Sequence, residues 1–370
     1  MTIMAAKKTG ISLDLIIHPG ETIADLLDER GISQADLAAR TGVSTAYVSN
    51  VISGKKDISK KFAMALEYAL GVPKTFWLNL QANYDAELLE ANQELTITNE
   101  EKYACKALSE VVEHLQKRNI IPISQRIEET ILSLRKFLQI SSIENLKNLV
   151  PQGAFRMAHK ATVNPHVMGA WLRICHIIGE KSPVIPSFDP KKIDNLVDEI
   201  KKIMLKTTCD IQKELTTVMQ QYGIHFSVVK NFKGAPVHGY ISQKADGTYQ
   251  MVLTIRGSFA DIFWFSLFHE LGHIVNGDVS KGSKYIDTAD NENVEQEYAA
   301  DLFASNKLLS NASYKHFTQL KDFSISAIKQ YAKAQNVMPY IVIGRLQKDG
   351  YIPYTWYSEY KLRYKWAENA

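Results

Sequence analysis

The sequence predicts a mainly α chain with an α+β C-terminal part. Three observations carry this: apolar residues recur at helical spacing from His18 to about Thr217, two β-rich runs appear only after Tyr222, and helical patterning returns around His269. Residues 18–89 fall into short segments cut by Gly31, Gly42, Gly54 and Gly71-Val72-Pro73, the texture of a compact bundle of short helices. Residues 99–217 carry longer helical patterns, broken at Ile121-Pro122, at Val150-Pro151 and in a Pro-rich loop over 181–190. From Tyr222 onward, 224–229 and 249–255 read as strands with Ala245-Asp246-Gly247-Thr248 as a turn, so a small sheet precedes the His269 segment. These changes of texture divide the chain into 1–95, a helical connector 96–189, a domain at 190–312 and a helical C-terminal extension 313–370.

Composition excludes several classes. With 370 residues, 45% hydrophobic and 22% charged, the chain is neither disordered nor fibrous and has material for two or three cores. A net charge of +3 decides nothing about a nucleic-acid partner; the distribution of charge must. No uncharged apolar stretch approaches the ~20 residues a membrane helix needs, and the first ten residues lack a signal-like apolar core, so a cytoplasmic chain without a membrane partner is expected. Cys105, Cys175 and Cys209 are odd in number and far apart, which fits reduced thiols.

In the first bundle, Ser33-Gln34-Ala35-Asp36 reads as a capping box opening a helix that runs to Thr41. Gly42 turns the chain, Val43 points inward, and a second helix runs from Ser44 to near Gly54, with Leu37, Ala38, Val48 and Ile52 packing between the two. Thr45, Ala46, Ser49 and Asn50 are left on the outer side, short enough to reach base edges in a major groove. Between Gly31 and Lys61 there are five basic residues (Arg40, Lys55, Lys56, Lys60, Lys61) against two acidic, an edge suited to phosphate. The bland alternative is a bundle with solvated lysines. His18-Pro19-Gly20-Glu21, Ser33 to Ala38, Gly42-Val43-Ser44, Val48-Ser49, Ile52 to Lys56 and Trp77 to Gln81 resemble the repressor-like helix-turn-helix of HigA-type antitoxins, over roughly 15–90. That resemblance implies operator DNA as partner, Gln34 and Lys55 on phosphates, Thr45, Ala46 and Asn50 on bases, Ser44 and Lys56 among the DNA-binding residues, and a homodimer on a palindrome.

His269-Glu270-Leu271-Gly272-His273 sits in a second candidate site. Histidines four apart share one helix face and can offer a metal such as Zn2+ an imidazole nitrogen each, with Glu270 beside them as general base. The helix itself is signalled by Ser258-Phe259-Ala260-Asp261, read as a further capping box, and by the Asn276-Gly277 stop. A third ligand is expected from the helix spanning 293–304. Glu297 and Asp301, four apart, share a face there; Glu297 would ligate while Asp301 orients a ligand histidine, and Glu295 is the rival, about 200° around the helix. Six acidic residues and no basic one lie between Ile286 and Asp301, read mostly as a solvated loop.

Phe263 to Phe268, the HExxH pentapeptide, and Glu297-Tyr298-Ala299-Ala300-Asp301-Leu302-Phe303-Ala304 together resemble the ImmA/IrrE family of metallopeptidases over roughly 190–312. The resemblance implies a zincin-like fold and a role in cleaving, or sensing, a regulatory protein. One departure is Ser310-Asn311, where the family often has Met-Pro, at the far wall of the cleft. His238 and Tyr240 are weaker candidates to steady an oxyanion; Phe155, Trp171, Leu172 and Arg173 read as connector, His159, His166, His176 and His225 as packing or surface residues, and the stretch 357–366 as an amphipathic helix. Two functions stay open: a DNA-binding regulator with a zinc endopeptidase that cuts a repressor or antitoxin-like partner, and a non-catalytic HigA-like repressor or antitoxin whose zinc domain binds a toxin or other partner.

Overall fold

The computed structural model describes residues 15–150, 163–180, 183, 185–255, 258–279, 284–288 and 294–366. Phe155, His159, part of the Pro-rich loop 181–190, and Asp290 and Glu292 of the acidic run lie outside them. The described residues divide into two compact units, one up to Asn99 and one from Glu100.

In the first unit, α1 (Pro19–Glu29), α2 (Gln34–Thr41), α3 (Thr45–Ile52), α4 (Lys60–Leu70) and α5 (Lys74–Ala91) surround one apolar core containing Ile23, Leu37, Val48, Val51, Leu66 and Trp77. The starts of α2, α3 and α4 are set by serines, each taking an amide that no helical carbonyl can reach. Oγ of Ser33 accepts from the Asp36 amide at 3.1 Å, Ser44 from Tyr47 at 3.2 Å and Ser59 from Phe62 at 3.1 Å. Only half of the capping box at Ser33 forms, because the Asp36 carboxylate turns along the helix to Arg40 at 2.6 Å. Gly42, at φ 69, makes the left-handed turn between α2 and α3 that a β-carbon would strain. Val51 rather than Ile52 fills the core position at the end of α3; Ile52 is half-buried.

The second unit contains α6 (Asn99–Ala107), α7 (Ser109–Lys117), α8 (Ile127–Leu138), α9 (Pro165–Glu180), α10 (Ile193–Met204) and α11 (Ile211–Gln221) ahead of the sheet. Buried Glu101 ties α6 to α8 and to the chain beyond it: its carboxylate takes the Arg135 guanidinium of α8 at 2.9 Å and the Ile143 amide at 2.8 Å. Then come β1 (Ile224–Val228), β2 (Val237–Gln243), β3 (Tyr249–Leu253), α12 (Ala260–Asn276), β4 (Lys284–Thr288), α13 (Val294–Leu308), α14 (Asn311–Gln319), α15 (Ile325–Ala334) and α16 (Pro339–Lys348). Residues from Glu100 to 189 and the segments 190–312 and 313–370 thus share one unit, while 96–99 fall in the first.

The sheet has the order β1-β3-β2-β4. β1 runs parallel to β3 (Phe226 opposite Met251), while β2 is antiparallel to both β3 and β4. The turn at 244–247 therefore joins β2 to β3, not the two runs read from the sequence; β2 and β4 carry too many polar residues to stand out as strands. Phe226, Ile241, Met251 and Leu253 pack against Leu267, Phe268 and Leu271 of α12 in the main core.

Two expectations fail at the start of α12. Phe259, not Ser258, occupies the cap; Ser258 sits at φ 64, and Asp261 turns inward to Lys361 at 2.8 Å. The cap is supplied instead by residues 357–366, which contain one short 3-10 turn and no α-helix. Their backbone lies along the helix start, with Ala260 N donating to Leu362 O at 2.9 Å and Tyr364 N to Ser258 O at 2.7 Å. Trp264 Nε1 donates to Tyr364 Oη at 2.8 Å, so the aromatic and basic residues read as an amphipathic helix form an extended strap. At the departure from the family pattern, Ser310 N is held by Gln335 Oε1 at 3.1 Å.

Candidate metal centre and nucleic-acid interface

α12 is apolar almost all round, and three of its polar side chains face inward: His269 is buried, and Glu270 and His273 are fully so. Burying such groups is costly unless each is partnered. Both histidines are held from behind. His269 Nδ1 lies 2.9 Å from Asp301 Oδ1, and His273 Nδ1 lies 2.8 Å from Asp278 Oδ2. An ionised carboxylate only accepts, so each Nδ1 is the protonated nitrogen and each Nε2 carries a lone pair. Those two Nε2 atoms face each other at 3.0 Å. Glu297 of α13 completes the cluster, its Oε2 at 3.2 Å from His269 Nε2 and its Oε1 at 3.7 Å from His273 Nε2.

Two lone pairs and a carboxylate converging on one point repel one another unless a cation stands between them. Tetrahedral zinc, with bonds of about 2.0–2.1 Å, sets its ligand atoms about 3.3 Å apart; the two Nε2 atoms are 3.0 Å apart, and Glu297 brings one oxygen to 3.2 Å from His269 and the other to 3.7 Å from His273. The donor set therefore fits such an ion. Burial pushes the His273 imidazole down in pKa against the opposing pull of Asp278. Burial pushes the Asp301 carboxyl up, but the His269 hydrogen bond and Lys348, 3.6 Å away, outweigh it and hold it below its usual range.

Helix packing explains why Glu297 reaches the histidines. A β-carbon on Gly272 would come within 3.0 Å of the Ala300 Cα, so the small pair lets α12 and α13 approach closely at the level of the site. Glu270 depends on a second close approach, to the sheet. A β-carbon on Gly239 of β2 would lie 1.7 Å from Glu270 Oε1. Of the acidic candidates, Glu297 and Asp301 come to the histidines, whereas Glu295 is exposed and outside the cluster. Tyr240 does not join it: its ring packs in edge-on fashion near Trp171 and His176 of α9, and burial pushes its hydroxyl up to about 12. Sequence reasoning missed Asp278 and Gly239. Asp278 comes after the helix stop, where no ligand spacing marks it; a glycine within a strand was the available signal for Gly239.

In the first unit, Gln34, Ser44, Thr45, Ala46, Asn50, Lys55 and Lys56 are all exposed. Ser44 spends its hydroxyl on the α3 cap, and Lys56 Nζ stands 4.5 Å above the Tyr47 ring, steadied beside α3. The outer face of α3 is thus short-chained and flanked by cations, as a groove-reading helix requires.

A helix-turn-helix family model matches residues 23–77, and a peptidase U49 model matches 234–329. The chain is 30% identical over 64 residues to YddM of Escherichia coli K12, an uncharacterised helix-turn-helix-type transcriptional regulator, covering 17% of this chain and 68% of that one. The chain belongs to the helix-turn-helix regulators. It is 42% identical over 69 residues to virulence-associated protein A' of Dichelobacter nodosus, 18% of this chain, and spans 60% of that relative's length. A solved structure of a putative antidote protein of a plasmid maintenance system from Nostoc punctiforme is 39% identical, with 22% of this chain and 97% of that one covered and a TM-score of 0.19. This helix-turn-helix regulator thus carries a peptidase U49 domain, and the matched residues include β2, α12 and α13 with the whole His-His-Glu cluster. None of its described helices is long and apolar enough to cross a membrane.

Proposed function

We propose that the chain is a homodimeric DNA-binding transcriptional regulator whose second unit is a zinc-dependent endopeptidase acting on a regulatory protein, a repressor or antitoxin-like partner. The observation that carries this is the convergence of two imidazole lone pairs and the Glu297 carboxylate in a buried site, with each ring fixed by a carboxylate. His269, His273 and Glu297 hold the metal. Zinc bound there supplies Lewis acidity toward the scissile carbonyl and makes water a nucleophile near neutral pH. Glu270, outside the ligand set and pinned against Gly239, takes the proton of the attacking water and returns it to the leaving amine. Asp301 and Asp278 fix ring orientation and tautomer, so both Nε2 atoms stay available. In the first unit, Thr45, Ala46 and Asn50 read base edges while Gln34, Lys55 and Lys56 meet phosphates; a dimer sets two copies of α3 about 34 Å apart on a palindrome.

The test joins metal content to turnover. Purified chain should hold about one zinc, Glu297→Ala should lose most of it, and Glu295→Ala should keep it; the reverse pattern would move the ligand role to Glu295. Glu270→Gln should retain zinc and operator binding but no longer cleave co-purifying or genomically adjacent proteins, as chelator-treated wild type also should not. If wild type cleaves none of them and Glu270→Gln regulates its promoter normally in cells, the peptidase reading falls and the second unit is a binding module. On DNA, Lys55→Ala should weaken all sequences and flatten the salt dependence, while Asn50→Ala should relax one base position by about 1–3 kcal/mol.

A further inference from the structure

Between α12, α13 and α16 lies a cavity of about 240 Å³ that the proposed chemistry does not use. Its wall is apolar, made by Ile262 and Phe265 of α12, Leu308 and Leu309 at the end of α13, and Ile341 of α16. Its charges are unequal in commitment. Lys361 is committed to Asp261, at 2.8 Å, and to Gln347; Arg345 is held by Asp349 at 2.7 Å. Lys348 is different: 57% of its side chain is exposed, and its Nζ rests 4.4 Å over the Phe265 ring and 3.6 Å from Asp301 Oδ2, beyond a good hydrogen bond. The pocket therefore offers apolar walls and one loosely held cation. That cation reaches the metal site through Asp301, because the other Asp301 oxygen holds His269 Nδ1. It does so from the Nδ1 side of the ring, away from the Nε2 that faces Glu297.

We infer that this cavity binds a small amphipathic monoanion, a carboxylate with a short apolar tail, and that its occupancy tunes the metal site through Lys348, Asp301 and His269. At about 30 Å³ per water-sized group the volume takes roughly eight such groups, the size of a medium-chain or single-ring carboxylate. The tail displaces solvent from Ile262, Phe265 and Ile341; the carboxylate draws Lys348 off Asp301. Relieved of its cationic neighbour, Asp301 is left to the His269 ring alone, the ring is fixed more firmly in its ligating orientation, and the metal is held more tightly. Lys348 is a positioning residue here, since it acts through Asp301. The coupling rests on the metal-site reading proposed above; the binding does not.

The test uses the full chain with octanoate as probe and octanol and octylamine as controls. By isothermal titration, octanoate should bind one site per chain, at least tenfold more tightly than either control. Lys348→Met should weaken it about tenfold, and Ile262→Trp, which sets a bulky indole at an exposed position on the cavity wall, should abolish it. Chelator competition should then show zinc held several-fold more tightly with octanoate than without, and Lys348→Met should hold zinc at the tighter level with no response to octanoate. Absence of saturable octanoate binding, or equal binding by Ile262→Trp, overturns the pocket while leaving zinc retention as it stands. Octanoate binding with unchanged zinc affinity overturns the coupling. If the chain holds no zinc at all, the metal-site reading and the coupling fall together, and the titration still decides the pocket.

Discussion

Replacing Gly239 by alanine tests the close approach on which Glu270 depends. The new β-carbon would lie 1.7 Å from Glu270 Oε1 and 2.3 Å from its Cδ, so the strand or the carboxylate must retreat by about 1.3 Å to reach the shortest tolerated contact. Overpacking a rigid interior costs about 1–3 kcal/mol. In a Glu270→Ala background the obstruction is gone, and alanine should instead stabilise β2 by about 0.5–1 kcal/mol, the usual penalty of glycine in a strand. The two substitutions should therefore couple by about 1.5–4 kcal/mol. Hydrogen exchange read peptide by peptide over β2 and α12 in all four variants reports this locally, without interference from the first unit and without a substrate. Equal cost of Gly239→Ala in both backgrounds would refute the placement of Glu270 against β2. If a substrate is in hand, Gly239→Ala should also lower turnover by about a hundredfold while retaining zinc, because it moves the base and none of the ligands.

Other contacts make three further outcomes testable. Asp278→Ala should weaken zinc binding by about 10–100-fold, measured by chelator competition, by freeing the His273 ring at Nδ1; Asp278→Asn should fall between it and wild type. Lys361→Met leaves the mostly buried Asp261 carboxylate without its cation and should destabilise the second unit by up to about 3–5 kcal/mol, with a large part restored in Lys361→Met/Asp261→Asn; no recovery would contradict the pairing. His114 is pushed down to about 4, first by burial and then by Arg118 and Lys230. The unfolded chain, with a histidine near pKa 6.5, then binds the extra proton between about pH 6.5 and 4, so this contribution is complete above that window and is lost on acidification through it. His114→Phe, which keeps a ring edge-on near Phe232, should flatten the stability profile there in urea titrations.

How far the sequence reveals this molecule depends on the range of the interaction. Serine caps at Ser33 and Ser44, the four-residue spacing of His269 and His273, and the phase of Glu297 against Glu295 are local, and local geometry decides them. The cap proposed at Ser258 failed because its residues answer to partners about a hundred positions away: Asp261 to Lys361 and Ala260 to Leu362. The strap itself was misread because alternating aromatic and basic residues fit an amphipathic helix as well as an extended segment lying on α12. β2 and β4 escaped notice since their stability comes from pairing rather than from an apolar run, and a polar strand has no periodic signature. Asp278 is a contact across a helix end, which no spacing rule covers.

The strap also sets an order of events in time. The first amide of α12 waits for an acceptor translated roughly a hundred residues later, so at 5–20 residues per second the His269–His273 helix stands with its start open to water for about 5–20 seconds. By then the five helices around Trp77 have long left the ribosome with their core complete. A nascent chain thus has its DNA-reading head in place well before the helix bearing the two histidines is closed.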